Sequence, residues 1–420
     1  MKIKNRLIVI DSSFSYLAIK TRKLEHSITC RDLDGFFDHV WSVHPFASLL
    51  YNSKEKKNGK ARVYPINPRH TFIDGKVGIF SLLNYFPKIN FFLSQAVMIV
   101  FLYKLIKREK INIIRAADPL YNGIMGFVLS KLTNIPFLIR VGSNHDKIYE
   151  TTGLHIMPNL FPNRKIEKMV GRFILSKADC VAAANNDNLE FAISNGAILE
   201  KTTIFRYGNL IDKVHFIDPR ERVIDNVFLK NSGICKNNYM LFVGRLSKVK
   251  LPDHPIMVLS ELKKNGHDIK LLIAGDGPLM NELRDMSVKL DLKNDVVFCG
   301  NCSQDILSSL YSSSAIVLSP HTGRALAEAA LAGSKIVAYD IDWQKEIIET
   351  NMTGVLVNYL DIMGMVDAVE KILNNKRFGD RIGRFARKKA LEMMEPNLLN
   401  DHERKTYINM ISNFNNVVVH

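Results

Sequence analysis

The sequence has few cysteines and few long apolar runs, and it lacks the glycine-rich motif of dinucleotide-binding sites. Its 420 residues include five cysteines, an odd number that argues against a disulfide framework and favours a reducing compartment. Near the N-terminus, cations precede a short apolar run at residues 7–10, which is too short for the core of a signal peptide and predicts a first β-strand. A complete GxGxxG motif is absent, so a dinucleotide site is not predicted.

Motifs for nucleic-acid binding and redox chemistry are missing as well. No zinc-finger spacing or RNP-type aromatic motif is present, so nucleic acid is not an expected partner. Cys299 and Cys302 have the spacing of a thioredoxin pair, but they follow the apolar run 295–298 and no redox-type domain surrounds them. We interpret them as part of a strand and its turn.

Positive charge is concentrated in one half of the chain. Residues 1–215 hold 31 Lys and Arg against 17 Asp and Glu, a net charge of +14, whereas residues 216–420 hold 26 against 25, a net charge of +1. A solvated basic face accounts for this without any partner. An anionic membrane surface or a pyrophosphate-linked acceptor would give the charge a function.

Short apolar runs without clean alternation predict buried parallel strands in both halves. In the first half they lie at 7–10, 111–115, 136–141 and 178–183, with helices at 121–133 and 165–177. In the second half they lie at 240–243, 270–274, 296–298, 315–318 and 335–338, with closing helices at 361–375, 378–394 and 400–413. The mixed segment 212–238 is interpreted as the linker between two domains.

Residues 90–107 are almost wholly apolar but shorter than a membrane-spanning helix requires. We interpret them as a buried helix. A helix lying in the plane of a membrane is the alternative, because Lys107, Arg108 and Lys110 follow closely.

Two cations follow the first strand of the second half. Arg245 comes after a strand and a glycine, and Lys250 is five residues further on. Both are expected at the carboxyl edge of the sheet, where an arginine fork and a lysine charge can hold phosphate oxygens. Downstream, glycines at 275 and 277 predict a turn, and the stretch 322–330 predicts a glycine loop that opens a helix and exposes free amides.

In this order, these motifs resemble the C-terminal half of retaining glycosyltransferases of the GT-B class, family four. The resemblance is specific over about residues 239–354 and weaker over 111–216. It implies an α/β fold of two Rossmann-like domains that face a central cleft, with a C-terminal helix crossing back. The expected divisions are an acceptor domain at 1–215, a nucleotide-sugar domain at 216–395, and a crossover helix and tail at 396–420.

The resemblance also implies an activity and a set of site residues. The expected reaction is transfer of a sugar from a nucleotide diphosphate sugar to a saccharide or lipid-linked acceptor, with retention and without a metal or other cofactor. Localisation would be cytoplasmic, with a peripheral position on the inner membrane face. Glu328 matches a family glutamate that binds the nucleotide ribose. The residues expected around the donor are Gly244, Arg245, Lys250, Gly277, His321, Thr322, Gly323, Arg324, Ala325, Leu326 and Glu328.

The sequence departs from the family pattern at Pro320, where the first family glutamate would stand. That glutamate normally touches the donor sugar, and His321 or Thr322 are the candidates to replace it. Asp340 and Asp342 imitate a metal-binding DxD motif, but they follow the last strand of the series and no metal site is predicted from them.

In the first half, Asp118 and His145 follow predicted strands and are expected on the acceptor side, with His145 also a catalytic candidate. Three rival functions remain: a nucleotide-sugar epimerase of GT-B fold, a non-catalytic sugar-nucleotide binding protein, and a nucleic-acid binder.

Overall fold

The chain forms two compact units, seen in a computed structural model that describes residues 5–51, 56–321 and 323–418, with side chains as far as residue 414. Unit 1 comprises Met1–Arg206 and Asn397–His420, and unit 2 comprises Tyr207–Pro396. The first division therefore lies nine residues before the predicted one at 215/216.

Each unit is a β-sheet flanked by helices. The strands are β1 Arg6–Ile10, β2 His39–His44, β3 Arg62–Asn67, β4 His70–Asp74, β5 Ile113–Ala116, β6 Phe137–Val141, β7 Cys180–Ala183, β8 Thr202–Ile204, β9 Tyr239–Val243, β10 Lys270–Ala274, β11 Val296–Gly300, β12 Ile316–Ser319, β13 Ile336–Tyr339 and β14 Val355–Val357. The α-helices are α1 Tyr16–Thr21, α2 His26–Thr29, α3 Pro87–Glu109, α4 Tyr121–Thr133, α5 His145–Thr152, α6 Arg164–Lys177, α7 Asn186–Ser194, α8 Asn226–Asn231, α9 His254–Lys264, α10 Met280–Lys289, α11 Gln304–Ser313, α12 Arg324–Leu331, α13 Gln344–Ile347, α14 Ile362–Asn374, α15 Lys376–Met394 and α16 Pro396–Val418.

Unit 1 is built on an eight-stranded sheet in the order β3-β4-β2-β1-β5-β6-β7-β8. All neighbours are parallel except β3 and β4. The central strand β1 sets Leu7 opposite Val40 on one side and Ile113 on the other. Buried on both faces, it reads as a continuous apolar run, which is why the sequence predicts it correctly.

Unit 2 is built on a six-stranded parallel sheet in the order β11-β10-β9-β12-β13-β14. Numbered from β9, this is the order 3-2-1-4-5-6 of dinucleotide-binding domains. Helices on both faces close two apolar clusters, one around Leu241 and Ala327 and the other around Met240 and Ile273.

The last helix, α16, packs into unit 1. Tyr407 is fully buried, with its ring 5.1 Å from that of Phe37. Glu403 is 1% exposed and lies 3.7 Å from both Arg115 and Arg140. A buried carboxylate between two buried arginines ties the end of the chain to the sheet of unit 1.

The predicted linker at 212–238 is not a free connection. Arg222 in this segment is 7% exposed and donates to the carbonyl oxygens of Ile217 at 3.0 Å and Leu331 at 3.3 Å. The amide of Asp225 donates to Ser309 Oγ at 2.8 Å. The segment belongs to unit 2, since its polar groups form hydrogen bonds with other residues of that unit rather than with water.

Helix α3 turns polar residues inward and several apolar residues outward. Asn90 and Gln95 are 3% and 5% exposed, whereas Phe92, Val97 and Val100 are 70%, 51% and 53% exposed. The outward stripe, here called the apolar face of α3, consists of Ile89, Phe92, Leu93, Val97 and Val100. The interpretation of residues 90–107 as a buried helix is thereby corrected.

The opposite side of α3 is anchored in unit 1. Asn90 Oδ1 accepts from the Ile79 amide at 2.8 Å, and the Tyr121 hydroxyl donates to Gln95 Oε1 at 2.8 Å. Among the described residues, α3 is the helix long and apolar enough to cross a membrane by length and composition, with 39% of that window buried. Its side chains also pack in the core of unit 1, so it is held against the sheet.

Candidate functional site

The crevice of unit 2 lies between β9 and β12. The chain passes from β9 to β10 on one side of the sheet and later returns to β12 on the other. At such a switch point the loops after the two strands separate and leave a ligand crevice at the carboxyl edge. The two loops here are residues 244–250 and residues 320–323.

The 244–250 loop brings the two predicted cations together. Arg245 is exposed, and its guanidinium has no hydrogen-bond or ion-pair partner within the described ranges 5–51, 56–321 and 323–418. Lys250 is half-buried on the 3₁₀ turn Lys248–Lys250. Burial lowers the pKa of the Lys250 amine, and the Asp342 carboxylate opposes that shift. The crevice therefore has one freely available cation and one partly desolvated cation.

Two glycines let the turn after β10 approach this loop. A Cβ at Gly275 would lie 1.8 Å from the Gly244 carbonyl oxygen, and one at Gly277 would lie 2.3 Å from that of Leu246. The close approach is fixed by backbone bonds, since Leu279 N donates to Leu246 O at 3.1 Å and Leu246 N donates to Asp276 O at 3.1 Å. Gly277 thus shapes the loop that carries Arg245.

His321 links the loops around the crevice. Its Nδ1 lies 2.6 Å from the carbonyl oxygen of Val249, and its Nε2 lies 2.8 Å from Asp342 Oδ2. A carbonyl and a carboxylate are both acceptors, so the ring nitrogen that carries a proton donates to the partner it faces. His321 therefore holds the turn that carries Lys250, and its contact with the donor stays a prediction.

Helix α12 begins directly after the 320–323 loop. Gly323 precedes its first residue, Arg324, and no side chain among the described residues caps the helix start. Ala325 belongs to the same first turn and is half-buried. Unbonded amides at a helix start are suited to an anion. Thr322, predicted to contact the donor, lies outside the described residues.

One predicted donor residue on α12 is corrected. Leu326 is 1% exposed and lies in an apolar cluster, and its amide already donates to the Gly323 carbonyl at 3.0 Å. Because neither its side chain nor its amide is available, Leu326 stabilises the helix against the sheet.

Glu328 is buried and already paired inside unit 2. The Tyr311 hydroxyl donates to Glu328 Oε2 at 3.2 Å, and Arg324 Nε lies 3.3 Å from Oε1. Arg324 also donates to the Leu210 carbonyl at 3.0 Å. Burial and the neighbouring carboxylate hold the pKa of Tyr311 well above its usual range. A carboxylate accepts about four hydrogen bonds, so two positions are unused, but Glu328 is only 4% exposed and the ribose contact stays a prediction.

The aspartates of the Asp340-Ile341-Asp342 sequence have separate environments. Asp340 is exposed, whereas Asp342 is half-buried and bonded to His321. Within the part of the chain that the structure describes, no three His, Cys, Asp or Glu side chains form a group that could hold a metal ion. The pairing of His321 with Asp342 is missed by the sequence, although the place of Asp342 just after β13 was a usable signal.

Unit 1 has its own switch point, between β1 and β5. Asp118, after β5, accepts hydrogen bonds from the Leu120 amide at 2.8 Å and from Asn122. Asn122 also donates to Ser12 Oγ, just after β1, at 3.0 Å. Burial raises the pKa of the Asp118 carboxyl to about 6. The sequence analysis misses Ser12 and Asn122, although Ser12 follows the predicted strand at 7–10 and Asn122 lies at the start of the predicted helix at 121–133.

The position of His145 does not fit its predicted catalytic role on the acceptor side, because its side chain is buried. It starts α5, is 5% exposed, and its ring centroid lies 5.3 Å from that of Phe191. Burial lowers the pKa of the imidazole to about 4, so the ring is neutral near pH 7. A buried neutral ring packed on an aromatic side chain argues against His145 as a catalytic or acceptor group.

Comparison with known proteins finds a family model that matches part of the second half of the chain. The family model described as Glycosyl transferases group 1 matches residues 227–389. Alpha-D-kanosaminyltransferase of Streptomyces kanamyceticus is 28% identical over 158 residues, which are 37% of this chain and 41% of that protein. UDP-Gal:alpha-D-GlcNAc-diphosphoundecaprenol alpha-1,3-galactosyltransferase of Escherichia coli is 24% identical over 292 residues, 66% of this chain and 70% of that protein. The chain spans less than half the length of the first curated relatives that it matches.

Among solved structures, HepE of Anabaena in complex with UDP and glucose matches with a TM-score of 0.71 at 15% identity. The match covers 96% of this chain and 100% of that one. At this identity the likeness shows the fold, and the predicted GT-B class of two Rossmann-like domains is confirmed. The family-model match supports the resemblance to glycosyltransferases for residues 227–389, and retention stays a prediction.

Proposed function

Because residues 227–389 belong to the glycosyl transferases group 1 family, we propose that this protein is a glycosyltransferase. It moves a sugar from a nucleotide diphosphate sugar to a saccharide or lipid-linked acceptor, with retention, in the synthesis of cell-surface polysaccharide or glycoconjugate. The names of two similar proteins support the substrate classes, since one includes UDP-Gal and a diphosphoundecaprenol acceptor and the other was solved with UDP and glucose.

One observation carries the proposal: two cations and a helix start border the same crevice. Arg245 and Lys250 lie on the loop after β9, and the uncapped N-terminus of α12 follows β12, the neighbouring strand. The carboxyl edge between these strands is the usual ligand position in open α/β sheets. Cations and backbone amides together suit a diphosphate.

The same groups explain how the reaction could proceed. The nucleoside diphosphate gains negative charge as the bond to the sugar breaks, and preorganised donors that face it lower the barrier. Arg245, Lys250 and the α12 amides supply this stabilisation, so we propose that no divalent metal is needed. Retention then follows from front-face substitution, in which the leaving phosphate accepts the proton of the acceptor hydroxyl.

A second candidate is a protein that binds the sugar nucleotide without turnover. Pro320 stands where a family glutamate would touch the donor sugar, and His321 beside it is fully engaged with Val249 and Asp342. The loss of that glutamate is the reason to consider binding without turnover.

A thermal-shift screen of UDP-, GDP- and ADP-sugars, followed by mass analysis of products on candidate acceptors, separates these functions. A shift together with a glycosylated product supports the transferase. A shift without any product supports the binding protein, and an altered free sugar without acceptor supports the epimerase. No shift with any nucleotide sugar would contradict donor binding altogether.

Contact with an anionic membrane forms part of the proposal. The apolar face of α3 exposes five large apolar side chains on one helix. Single exposed apolar residues are common on protein surfaces, but a contiguous group of them marks an interaction site. Lys104, Lys107, Arg108 and Lys110 lie on or just after the same helix, and all four are exposed. An apolar stripe with basic neighbours suits a peripheral position on the inner face of the cytoplasmic membrane.

A further inference from the structure

Unit 1 contains a groove of about 1330 Å³ beside the N-terminal end of α3. Five separate parts of the chain line it: Ser12, the turn after β2, residues 56–58, the stretch from residue 77 into α3, and residues 156–162. Much of the wall is apolar, and its larger apolar side chains are Phe46, Leu49, Phe91, Phe92, Ile156 and Phe161.

The charged residues of the groove all have one sign. Lys56, Lys57 and Lys88 line it and are exposed. No aspartate or glutamate is present among the described residues that line it. A mainly apolar groove with three lysines and no acidic group complements a molecule that is apolar along its length and anionic at one end.

The groove reaches the switch point of unit 1. Ser12, which lines it, follows β1 and accepts a hydrogen bond from Asn122 at 3.0 Å. Asn122 also donates to Asp118 after β5. The polar end of the groove therefore lies where open α/β sheets bind ligands.

The groove also adjoins the surface that we propose meets the membrane. Phe92 lines the groove and is 70% exposed as part of the apolar face of α3. Phe92 is therefore shared by the groove and the apolar face of α3.

We propose that the groove binds the apolar chain of a phosphate-bearing lipid acceptor, with the lysines on its phosphate groups. This inference rests on the proposed function and selects a lipid-linked acceptor over a free saccharide. A free saccharide fits this wall less well than a lipid chain, since each of its hydroxyl groups that is buried there needs a polar partner.

The test is direct binding to the full chain by titration calorimetry, with farnesyl diphosphate as the probe. Farnesol supplies the chain without the charge, and inorganic pyrophosphate supplies the charge without the chain. Farnesyl diphosphate should bind at least about tenfold more tightly than either comparator. Equal affinity for pyrophosphate would overturn the role of the apolar wall.

Two variants have matched controls on the same surface. Leu49→Asp alters the groove, whereas Leu50→Asp alters a neighbour that is equally exposed, at 56% against 55%, but does not line it. Combined Lys56→Ala, Lys57→Ala and Lys88→Ala removes the cations, and Lys60→Ala is the matched change outside the lining. Each groove variant should weaken binding of the probe at least about tenfold, and each control should change it less than about twofold.

Titration with the UDP-sugar that the screen selects separates this inference from the proposed function. If the nucleotide sugar binds and the groove variants do not affect binding of the probe, the groove is not the lipid-binding site. The proposed transferase function is then unaffected. Groove-dependent probe binding without any nucleotide-sugar binding would support the groove and contradict the transferase. Probe binding lost only on Val97→Asp would place the lipid on the outer face of α3 and overturn the groove.

Discussion

Lys250→Ala tests the donor site most directly. Lys250 is half-buried, and burial lowers the pKa of its amine, so its charge acts in a less screened environment than that of exposed Arg245. Two unit charges 4 Å apart interact by about 1 kcal/mol in bulk water and by about 4 kcal/mol at the effective dielectric near a protein surface. The lysine should therefore contribute more per charge than the arginine.

The expected loss follows from this comparison. Removing one donor that stabilises developing charge costs about 10²–10³ in turnover, or about 2.7–4 kcal/mol. We expect both Lys250→Ala and Arg245→Ala in this range, with Lys250→Ala at the upper end. The control is Lys248→Ala, which removes an exposed lysine from the same turn and should leave turnover nearly unchanged.

The pH dependence of kcat/KM gives a second readout. Because burial lowers the pKa of Lys250, its amine loses its proton at a lower pH than a solvated lysine does. Activity should therefore fall on the alkaline side as that charge is lost. In Lys250→Arg the charge does not titrate in this range, and the alkaline fall should disappear or move to higher pH.

The assay is steady-state transfer from the donor identified by the thermal-shift screen. Normal turnover in both Arg245→Ala and Lys250→Ala would refute the assignment of the diphosphate to this loop. An alkaline fall that is unchanged in Lys250→Arg would show that another group titrates.

Activity should survive EDTA, and complete loss that Mn²⁺ or Mg²⁺ restores would refute metal independence. The full chain should sediment with anionic liposomes at low salt and less at physiological salt; equal sedimentation with neutral liposomes, or no effect of Val97→Asp with Val100→Asp, would contradict the membrane surface. Gly277→Ala should destabilise the fold by about 1–3 kcal/mol and weaken donor binding, because its Cβ would lie 2.3 Å from the Leu246 carbonyl oxygen. An unchanged midpoint of urea unfolding would show that the loop moves to accommodate the added methyl group. Glu403→Ala should cost about 3–5 kcal/mol, since it leaves two buried arginines without their carboxylate; a loss below about 1 kcal/mol in urea unfolding would refute the buried pairing.

The second half of the chain was predictable in detail because its signals are local. Strand β10 begins and ends where the sequence places it, and β9, β12 and β13 differ by about one residue. Each is a short buried run followed by a glycine or polar turn, so a few neighbouring residues define it. The first half was harder, since β2, β3 and β4 were not predicted. The antiparallel edge strand β3 is largely exposed and lacks the apolar run that marks the others.

By itself, the sequence determined the strand series of unit 2, the cations Arg245 and Lys250 after β9, and the helix start after β12, because each follows from the chemistry of adjacent residues. The tertiary structure decided which side chains are available. It buries Leu326 and His145, pairs His321 with Asp342 across 21 positions, and turns the apolar face of α3 outward. These outcomes depend on contacts between residues that are distant in the chain. Residue type and spacing along one helix do not determine which of its faces the rest of the fold will cover.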